Sequence, residues 1–477
     1  MRGIISVAGY VPYRRLSRAD IAAFMGSGGG KGTRSVASHD EDTTTLGVEA
    51  ARLATRHGNR RPDTLWFTSS SPAYLDKTNA TAVAAALRLG AEVGAYDFGG
   101  ALRSGIGSLI AALRGAGTTL VVSADMRDGL PTSADEAGGG DGAAAALVGE
   151  GSDGDDLLAE FVASASATDE FTDRWRAPGD RVSKLWEERF GENRYVALGQ
   201  DAVARALAAA GLGVADIGRL IVTGMHGRAV TALTKKLGAA ETAAVDDLSQ
   251  SVGQTGAAHP LLVLAAELET LAAGAVPAGT VVVLVHLADG ADAVVLRTTV
   301  ALPGWTPARP VQAQIAQATD LPYAKYLAWR GQLQPEPPRR PEPARVSSTA
   351  AHRNEDWKFG FVGSRDRASG ALHMPPSRVS MEGGHVDDME PVAMADTVGT
   401  VVTFTIDRLA YSPSPPIVFA IVDFDGGGRY PVELTDVDST EVAVGSRMEM
   451  TFRRLFTADG IHDYFWKARP VRQGGAA

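Results

Sequence analysis

Residues 96–117, YDFGGALRSGIGSLIAALRGAG, combine a strand end, a glycine turn at Gly99 and Gly100, and a helix of small residues beginning near Ser104. A strand that turns sharply into a helix presents the bend residue beside unpaired backbone N–H groups and the positive end of the helix dipole, which suits an activated nucleophile. The bend residue here is Leu102, whose side chain cannot act as a nucleophile. The stretch predicts a catalytic site that has lost its nucleophile, a site that works without one, or an ordinary buried turn.

Cysteine is absent from the chain, and this absence limits the available chemistry more than any other feature of the composition. It excludes disulfides, a thiolate nucleophile and a cysteine-ligated zinc site. The net charge of −10 is mild for 477 residues and no long basic run occurs, which argues against nucleic acid as a partner. The N-terminal residues lack a secretory-signal pattern and no apolar stretch reaches membrane-spanning length, so we expect a cytoplasmic protein without membrane contact.

Over the first 300 or so residues, apolar strands alternate with helices, among them an amphipathic helix over 42–57, capped by Asp42 or Thr43, and a helix from about Tyr195 to Ala210. This alternation predicts an α/β fold in which helices cover buried strands on both sides. Segments 118–148 and 280–299 each contain an apolar strand, a polar glycine turn and a second apolar strand, and a strand, an elbow and a helix precede each. We therefore expect duplicated halves at 1–165 and 166–318, with the active site where they meet.

The pattern changes after the second half. A helix-like run and a proline-rich, charged segment predict a helix and linker at 319–355. Beyond residue 357, about five short strands separated by glycine or proline turns are typical of a small all-β barrel of the OB type. The barrel lacks a basic stripe with interleaved aromatic residues, so we expect its basic cluster to serve interdomain or acyl-carrier contacts. That cluster consists of Arg453, Arg454, Lys467 and Arg469.

Four motifs resemble the thiolase superfamily: GALRSGIGSL, HGRAV, VGQTGAAHP and LADGADAVV. The resemblance is greatest to the branch that holds 3-hydroxy-3-methylglutaryl-CoA synthase and the type III ketoacyl-carrier-protein synthases. It implies a five-layered αβαβα core, usually dimeric, that takes CoA-thioester or carrier-bound substrates and needs no further cofactor. The C-terminal part resembles the zinc ribbon and OB-fold domain that accompany thiolase-like subunits, which implies a degenerate ribbon at 356–393 and a barrel at 394–475.

The resemblance also assigns catalytic positions. The family's nucleophilic cysteine falls at Leu102, the synthase's general acid/base glutamate at Ser70 and the family's asparagine at Gln254, whereas the histidine is retained as His226. In a complete site, cysteine accepts the acyl group while histidine and asparagine stabilise the thioester oxygen and an enolate. Simpler interpretations remain open: His226 satisfied by a backbone carbonyl, Gln254 as a solvated turn residue, and one serine of 69–71 as a substitute nucleophile or hydrogen-bond donor.

Two further sets of residues follow from the resemblance. CoA needs positive charge at the mouth of its pocket, although each candidate is also explained as an ordinary surface residue; these candidates are Arg34, Arg103, Arg176, Arg228 and Lys235. The positions of the ribbon's zinc ligands cannot form a normal zinc site, so we expect no metal and a loop packed against the barrel; they are Asp366, Ser369, Ser380 and Gly383.

Three functional hypotheses follow. The first is an acyltransferase-class protein resembling hydroxymethylglutaryl-CoA synthase that makes or breaks C–C bonds at a CoA or acyl-carrier thioester without a cysteine nucleophile. The second is a catalytically inactive subunit that supplies structure and an OB domain to a thiolase partner. The third is an acyl-chain binding module. The resemblance implies a homodimer, and the second hypothesis adds a complex with a thiolase.

Overall fold

The computed structural model describes residues 1–56, 58, 60–151 and 156–472. Strands β1–β22 cover, in chain order, Arg2–Tyr10, Arg14–Ser17, Thr33–Val36, Thr64–Ser69, Gly94–Gly99, Thr119–Met126, Asp141–Glu150, Ala159–Ala167, Arg174–Trp175, Lys184–Leu185, Arg219–Gly224, Val281–Leu287, Ala291–Thr298, Thr319–Asp320, Val362–Asp366, Leu372–His373, Met389–Ala393, Gly399–Asp407, Ile417–Phe424, Arg429–Leu434, Arg447–Ala458 and Ile461–Pro470. Helices α1–α12 cover Arg18–Met25, Thr43–Thr55, Ala80–Ala86, Arg103–Arg114, Ala134–Gly138, Glu188–Ala210, Gly227–Leu237, His259–Ala273, Val311–Ala316, Tyr323–Trp329, Ser348–Arg353 and Glu355–Lys358.

A nine-stranded sheet in the order β11-β12-β13-β8-β1-β7-β6-β4-β5 contains both predicted halves. In the first half β4 and β6 are parallel, and β7 and β1 follow with antiparallel pairings. The second half repeats this arrangement with β11, β12, β13 and β8. The counterpart of β5 is reduced to a parallel bridge between Leu220 and Ala244. The predicted duplication is therefore present in the strand order.

Three apolar clusters define five layers. Helices α2 and α3 pack on the outer face of the first half, and α6 and α7 pack on the outer face of the second. Between the two halves lie α4 and α8, whose apolar side chains share one cluster with strands of both halves. The predicted αβαβα core is confirmed, and the carboxyl ends of β4, β6, β11 and β12 lie at the entrances to its central layer, where ligands bind in parallel-sheet folds.

The C-terminal part forms a closed five-stranded barrel in the order β18-β19-β20-β22-β21, as predicted for an OB-type fold. A three-stranded sheet, β16-β15-β17, lies where the sequence predicts the ribbon. Residues 473–475 of the predicted barrel lie outside the described residues, as does His57 at the predicted end of α2. The domain boundaries themselves stay predictions.

The barrel packs against the first half through buried ion pairs. Arg453 is fully buried and pairs with Asp436 of the barrel at 2.8 Å and with Glu41 of the core. Lys467 lies 3.0 Å from Asp40, and further pairs join Arg469 to Glu49 and Glu449. The basic cluster on the barrel thus serves an interdomain contact, one of the two roles that the sequence predicted for it.

Two helix starts differ from the sequence expectation. Helix α4 begins at Arg103, with Leu102 as its N-cap residue, so Ser104 does not cap it; the Ser104 hydroxyl instead donates to the Gly99 carbonyl at 3.4 Å. Helix α6 begins at Glu188, seven residues before the expected start at Tyr195. Its first turns contain poor helix formers, but the rings of Phe171, Phe190 and Tyr195 pack together and stabilise the extra turns.

Candidate functional site

One cavity of about 1150 Å³ opens between the two halves of the core. Its lining includes all four predicted catalytic positions, Ser70, Leu102, His226 and Gln254. Ser70 follows β4, Leu102 follows β5 and His226 follows β11, whereas Gln254 lies in the turn before α8. The fold therefore brings together the positions that the resemblance indicated, whereas their chemical roles stay predictions.

Leu102 lies at the start of α4 with ordinary helical backbone angles, φ −60° and ψ −36°. The sharp turn that precedes it is made by Gly100 at φ 93°, a left-handed conformation that glycine adopts readily. The backbone frame for a nucleophile is thus retained. The side chain on that frame is apolar, and covalent acyl transfer through residue 102 is excluded.

His226 is the N-cap residue of α7, and both of its ring nitrogens have backbone partners. Nδ1 accepts from the Ala229 N–H at 3.2 Å, and Nε2 lies 2.8 Å from the Glu188 carbonyl oxygen. A carbonyl oxygen can only accept, so Nε2 carries the proton and the imidazole is held in one tautomer. This is the simpler interpretation offered by the sequence, and it leaves no ring nitrogen free for a ligand in this conformation.

Gln254 lies in the turn before α8 and is held mainly through its backbone. Its N–H donates to the Gly138 carbonyl, and its own carbonyl accepts from Gly140. The side-chain Nε2 makes one long hydrogen bond of 3.4 Å to Asp247. Gln254 is only 8% exposed, so it is not a solvated turn residue. Because its side-chain amide makes only that one long hydrogen bond, it can reorient toward a ligand at low cost.

Ser70 belongs to a polar cluster that the sequence did not reveal. The buried Asp125 carboxylate accepts from the hydroxyls of Ser69 and Ser70 at 3.0 and 2.8 Å, from the Ser70 N–H at 2.7 Å and from the Ala257 N–H at 2.7 Å. The Ser70 hydroxyl in turn accepts from Arg127 Nη1 at 2.9 Å. Asp125 already serves so many donors that it holds the serine turn in place, and it is not free to activate a serine nucleophile.

The predicted CoA-binding cations divide into two groups. Arg228 and Lys235 line the cavity on the exposed side of α7, and Arg228 pairs with Glu188 at 3.1 Å while its side chain stays 61% exposed. Arg176, which follows β9, also lines the cavity. These three remain candidates for ligand contact.

Arg34 and Arg103 are not among the residues that line the cavity, and their predicted role in binding CoA stays a prediction. Arg34 is fully buried and donates to backbone carbonyls of residues 127 and 136 while facing Asp141. Arg103 is bound by Asp292, with Nε 2.7 Å from the carboxylate, and its other nitrogens donate to backbone carbonyls. In this structure both guanidinium groups bind groups of the chain's own core.

A covering segment, residues 171–187, contains the short ribbon β9–β10 and contributes side chains to the cavity lining. Arg174 anchors it through two hydrogen bonds to Asp135, at 2.6 and 2.8 Å. Arg176 donates to the Ser70 carbonyl. The ends of the ribbon are joined by a hydrogen bond from the Trp186 N–H to the Asp173 carbonyl. Burial raises the pKa of the Asp173 carboxyl.

His259 and His286 are buried and have hydrogen-bond partners within the core. His259 Nδ1 accepts from the Thr255 N–H, and His286 Nδ1 bonds to the Thr223 hydroxyl. Burial lowers the pKa of His259 to about 4 and that of His286 to about 3, so both rings are neutral near pH 7.

The ribbon holds a hydrogen-bonded hub at the predicted metal position. The buried Asp366 carboxylate accepts from Ser369 and pairs with His385 Nδ1 at 2.8 Å. Hydrogen bonds from Ser369, His385 and Ser380 hold the pKa of Asp366 well below its usual range. Serine and glycine at the other ligand positions do not fit zinc, and within residues 1–56, 60–151 and 156–472 no group of three His, Asp or Glu side chains is arranged to hold a metal.

Comparisons with known families agree with this geometry. A family model described as 3-oxoacyl-[acyl-carrier-protein (ACP)] synthase III C terminal matches residues 207–297, which contain His226 and Gln254. A second model, described as ChsH2, C-terminal OB-fold domain, matches residues 391–453.

Individual proteins and solved structures extend the match. Hydroxymethylglutaryl-CoA synthases from Thermococcus sibiricus and Pyrococcus furiosus are 32% and 31% identical to this chain over 202 residues, covering 40% of this chain and 57% of each relative. The structure of MvaS in complex with 3-hydroxy-3-methylglutaryl coenzyme A has a TM-score of 0.55 and 22% identity, covering 72% of this chain and 94% of that one. The 3-oxoacyl-(acyl carrier protein) synthase III of Pseudomonas aeruginosa PAO1 has a TM-score of 0.54 and 22% identity, covering 62% and 98%.

The layered core has the thiolase-like fold of these solved structures. The chain is similar to hydroxymethylglutaryl-CoA synthases and to 3-oxoacyl-(acyl carrier protein) synthase III in its core, and residues 391–453 are similar to the ChsH2 C-terminal OB-fold domain. It spans little more than half the length of the curated relatives it matches. No helix in the described part of the chain is long and apolar enough to cross a membrane.

Proposed function

We propose that this protein binds an acyl thioester of CoA or of an acyl carrier protein in the cavity and acts on it without forming an acyl-enzyme. The observation that carries the proposal is that positions 70, 102, 226 and 254 still line one cavity of about 1150 Å³ although the nucleophile is replaced. A volume of this size accommodates a cofactor-sized ligand. The exposed cations Arg228 and Lys235 lie where the phosphates of CoA or an acidic carrier would approach.

Non-covalent enolate chemistry, such as decarboxylation, is a second candidate. The co-location of His226 and Gln254 on the cavity favours it, because these side chains would polarise a thioester carbonyl. His226 would first have to release the Glu188 carbonyl from Nε2. Catalysis therefore requires a ligand-induced movement at α6 or α7, whereas binding requires none.

The hypothesis of a subunit that donates its OB domain to a thiolase has less support. The charged face of the barrel, with Arg453, Lys467 and Arg469, is already buried against the chain's own core.

The edge strand β5 is a better place for a partner, since Tyr96 and Phe98 are 54% and 40% exposed there. We propose that this edge pairs with a second copy of the chain.

The absence of cysteine makes the binding proposal directly testable. The variant L102C carries a single thiol at the cavity, and L409C carries a single thiol on an exposed part of the barrel, where Leu409 is 65% exposed. The alkylation rate of each variant by iodoacetamide is measured with and without pentanoyl-CoA. We expect the thioester to slow labelling of L102C about ten-fold or more at saturation and to leave L409C unchanged; equal labelling of L102C with and without pentanoyl-CoA would refute binding in this cavity.

A further inference from the structure

The strand order of the barrel identifies its ligand face. Strands β18, β19, β20, β22 and β21 follow one another around the barrel, so β19 and β20 are the second and third strands of an OB fold. In OB folds, ligands lie across these two strands, between the loop that joins the first strand to the second and the loop that joins the fourth to the fifth. In this chain the two loops are residues 408–416 and 459–460. The ligand face is therefore the outer side of β19 and β20 together with these loops.

The ligand face is apolar and has no excess of positive charge. Ile417, Phe419 and Ile421 alternate along β19 with residues of the barrel core, so they lie on its outer side, where Phe419 is 45% exposed. Nucleic acid needs clustered cations. The charged residues of this face are three acidic and two basic ones: Asp423, Glu433, Asp459, Arg408 and Arg429. The face therefore suits an apolar segment rather than a phosphate backbone.

The chain's own linker touches both loops of the ligand face. Its proline-rich segment, residues 334–346, follows α10 and precedes α11. The Tyr411 hydroxyl, in the first loop, donates to the Glu342 carboxylate at 3.1 Å. Arg345 Nη1 donates to the Asp459 carboxylate, in the second loop, at 2.7 Å. Residues 342–345 therefore reach from one loop to the other.

Both loops hold their contact residues through local structure. Asp459 and Gly460 have φ values of 51° and 73°, and two positive φ values in a two-residue hairpin loop are typical of a type I′ turn. In the other loop, the Ser414 N–H donates to the Ser412 hydroxyl at 3.1 Å. The loops thus present Tyr411 and Asp459 without help from the linker.

The proline-rich segment has the spacing of an extended helix. Prolines recur every third residue, at positions 335, 338 and 341. This is the period of polyproline II, which rises about 3.1 Å per residue and makes no internal hydrogen bonds, so Glu342 and Arg345 are about 9 Å apart along it. Such helices are extended before they bind and dock on faces lined by aromatic side chains at little entropic cost. We propose that the ligand face binds an extended proline-rich peptide and that the linker occupies it as an intramolecular ligand.

The intramolecular ligand is held loosely enough to be exchanged. The side chains of Arg345 and Asp459 are 59% and 71% exposed, and exposed ion pairs contribute little to stability. The segment stays in place mainly because α10 and α11 tether it, which gives it an effective concentration on the order of millimolar. A proline-rich segment of a partner protein, with an acidic and a basic residue three positions apart, competes for the same face. No residue of the ligand face lines the cavity of the core, so this inference is independent of thioester binding.

The test removes the intramolecular ligand. In the replaced variant, glycine and serine residues of equal number take the place of residues 335–345. Binding of a fluorescent peptide of residues 334–346 is measured by anisotropy. We expect the replaced variant to bind this peptide about ten-fold more tightly or more than the wild-type chain does, because the wild-type linker competes for the face.

Point substitutions in the replaced variant locate the peptide. Y411F and D459N should each weaken binding about three-fold or more. D459N keeps a residue type that type I′ turns favour, so the turn is retained. D425N is the control and should leave binding unchanged, because Asp425 lies at the opposite end of β19 and pairs with Arg447.

Several results would overturn the proposal. One is failure of the replaced variant to bind the peptide at millimolar concentration, and another is equal affinity of the replaced variant and the wild-type chain. Binding of a single-stranded oligonucleotide in place of the peptide would assign the face to nucleic acid instead. If the replaced variant does not fold, trypsin cleavage after Arg345 in the full chain decides: we expect D459N to speed it about three-fold or more and D425N to leave it unchanged. Equal cleavage rates in D459N and D425N would overturn occupation of the face by the linker.

Discussion

The Nε2 nitrogen of His226 donates to the carbonyl oxygen of Glu188 at 2.8 Å. With Nδ1 accepting from the Ala229 N–H, the ring joins the start of α6 to the start of α7. The one predicted catalytic position that keeps the residue type of the resembling family is therefore used as a helix cap. While both ring nitrogens have these partners, His226 cannot polarise the carbonyl of a thioester in the cavity.

Replacing His226 tests the cap directly. We expect H226A to lose about 1 kcal/mol of unfolding free energy because α7 loses its N-cap acceptor. H226N retains a good capping side chain and should recover most of that loss. Chemical denaturation measures both values, and calorimetry should show pentanoyl-CoA affinity within about two-fold of wild type in each variant. Loss of a measurable turnover in both variants, with stability unchanged, would instead show that His226 is catalytic.

The buried ion pairs at the barrel interface should be costly to break. R453M removes a guanidinium and leaves Glu41 and Asp436 buried without it, so we expect a loss of about 3–5 kcal/mol. R447M removes the exposed pair with Asp425 on the same barrel and should cost less than about 0.5 kcal/mol. Differential scanning calorimetry compares the two. Similar thermal shifts for both variants would mean that the barrel does not depend on this contact.

Glu269 should make the folded chain less stable as the pH rises. Burial raises its pKa to about 8, an effect only partly offset by the hydrogen bond from the Val311 N–H. The folded chain holds a proton that the unfolded chain releases above about pH 4.5, so this residue makes the unfolding free energy fall between about pH 4.5 and 8. E269Q keeps an acceptor for Val311 and removes that slope. We expect it to be more stable than wild type by about 2–4 kcal/mol at pH 8 and nearly equal at pH 4.5.

Glu449 is the matched control of opposite sign. Burial opposes its charge, but Arg469 and Arg309 outweigh that cost and lower its pKa to about 2. Its contribution is present above about pH 4.5 and is lost as the pH falls toward 2. E449Q should therefore be less stable than wild type at pH 7 to 8. A gain in stability for E449Q, or none for E269Q, in unfolding curves across this pH range would contradict the burial argument.

The ribbon should be stable without metal. Asp366 is held charged by its hydrogen bonds, and its negative charge raises the pKa of His385. The pair is complete only above the ordinary aspartate pKa of about 3.9, and it is lost as the pH rises through the elevated pKa of His385. We expect EDTA to leave amide exchange in β15–β17 unchanged, and D366N to speed that exchange roughly ten-fold. Chelator-sensitive exchange would show a metal site that the present side chains do not explain.

Local patterns predicted the elements of this fold well. Strand and helix alternation, the duplicated halves and the five barrel strands all follow from hydrophobic periodicity and turn residues, and the capping box of Asp42 and Thr45 is where the sequence predicts the start of α2. These elements depend on short-range order, which a sequence displays. Positions 70, 102, 226 and 254 were indicated only by the resemblance to the thiolase superfamily, and the structure shows that they line one cavity.

The partners of buried charges could not be predicted in this way. Arg34, Arg103 and Arg127 are the same residue type, yet the first two are held by Asp141 and Asp292, whereas the Nη1 of Arg127 donates to the Ser70 hydroxyl. The two aspartates are more than a hundred residues away from their arginines along the chain. The hydrogen bond from His226 to Glu188 likewise spans 38 residues, and nothing local indicates it. For Asp125 and Arg127 the sequence did offer one signal, the ADMRD segment at the end of β6. Polar residues at the carboxyl end of a buried strand favour a site there.

Native mass spectrometry of the wild-type chain with pentanoyl-CoA tests the central claim most directly. We expect a one-to-one complex whose mass is that of the chain plus the intact thioester, and its complete loss when the same sample is denatured. Either the absence of any complex or an acyl group that stays attached after denaturation would contradict non-covalent thioester binding at the cavity around Leu102.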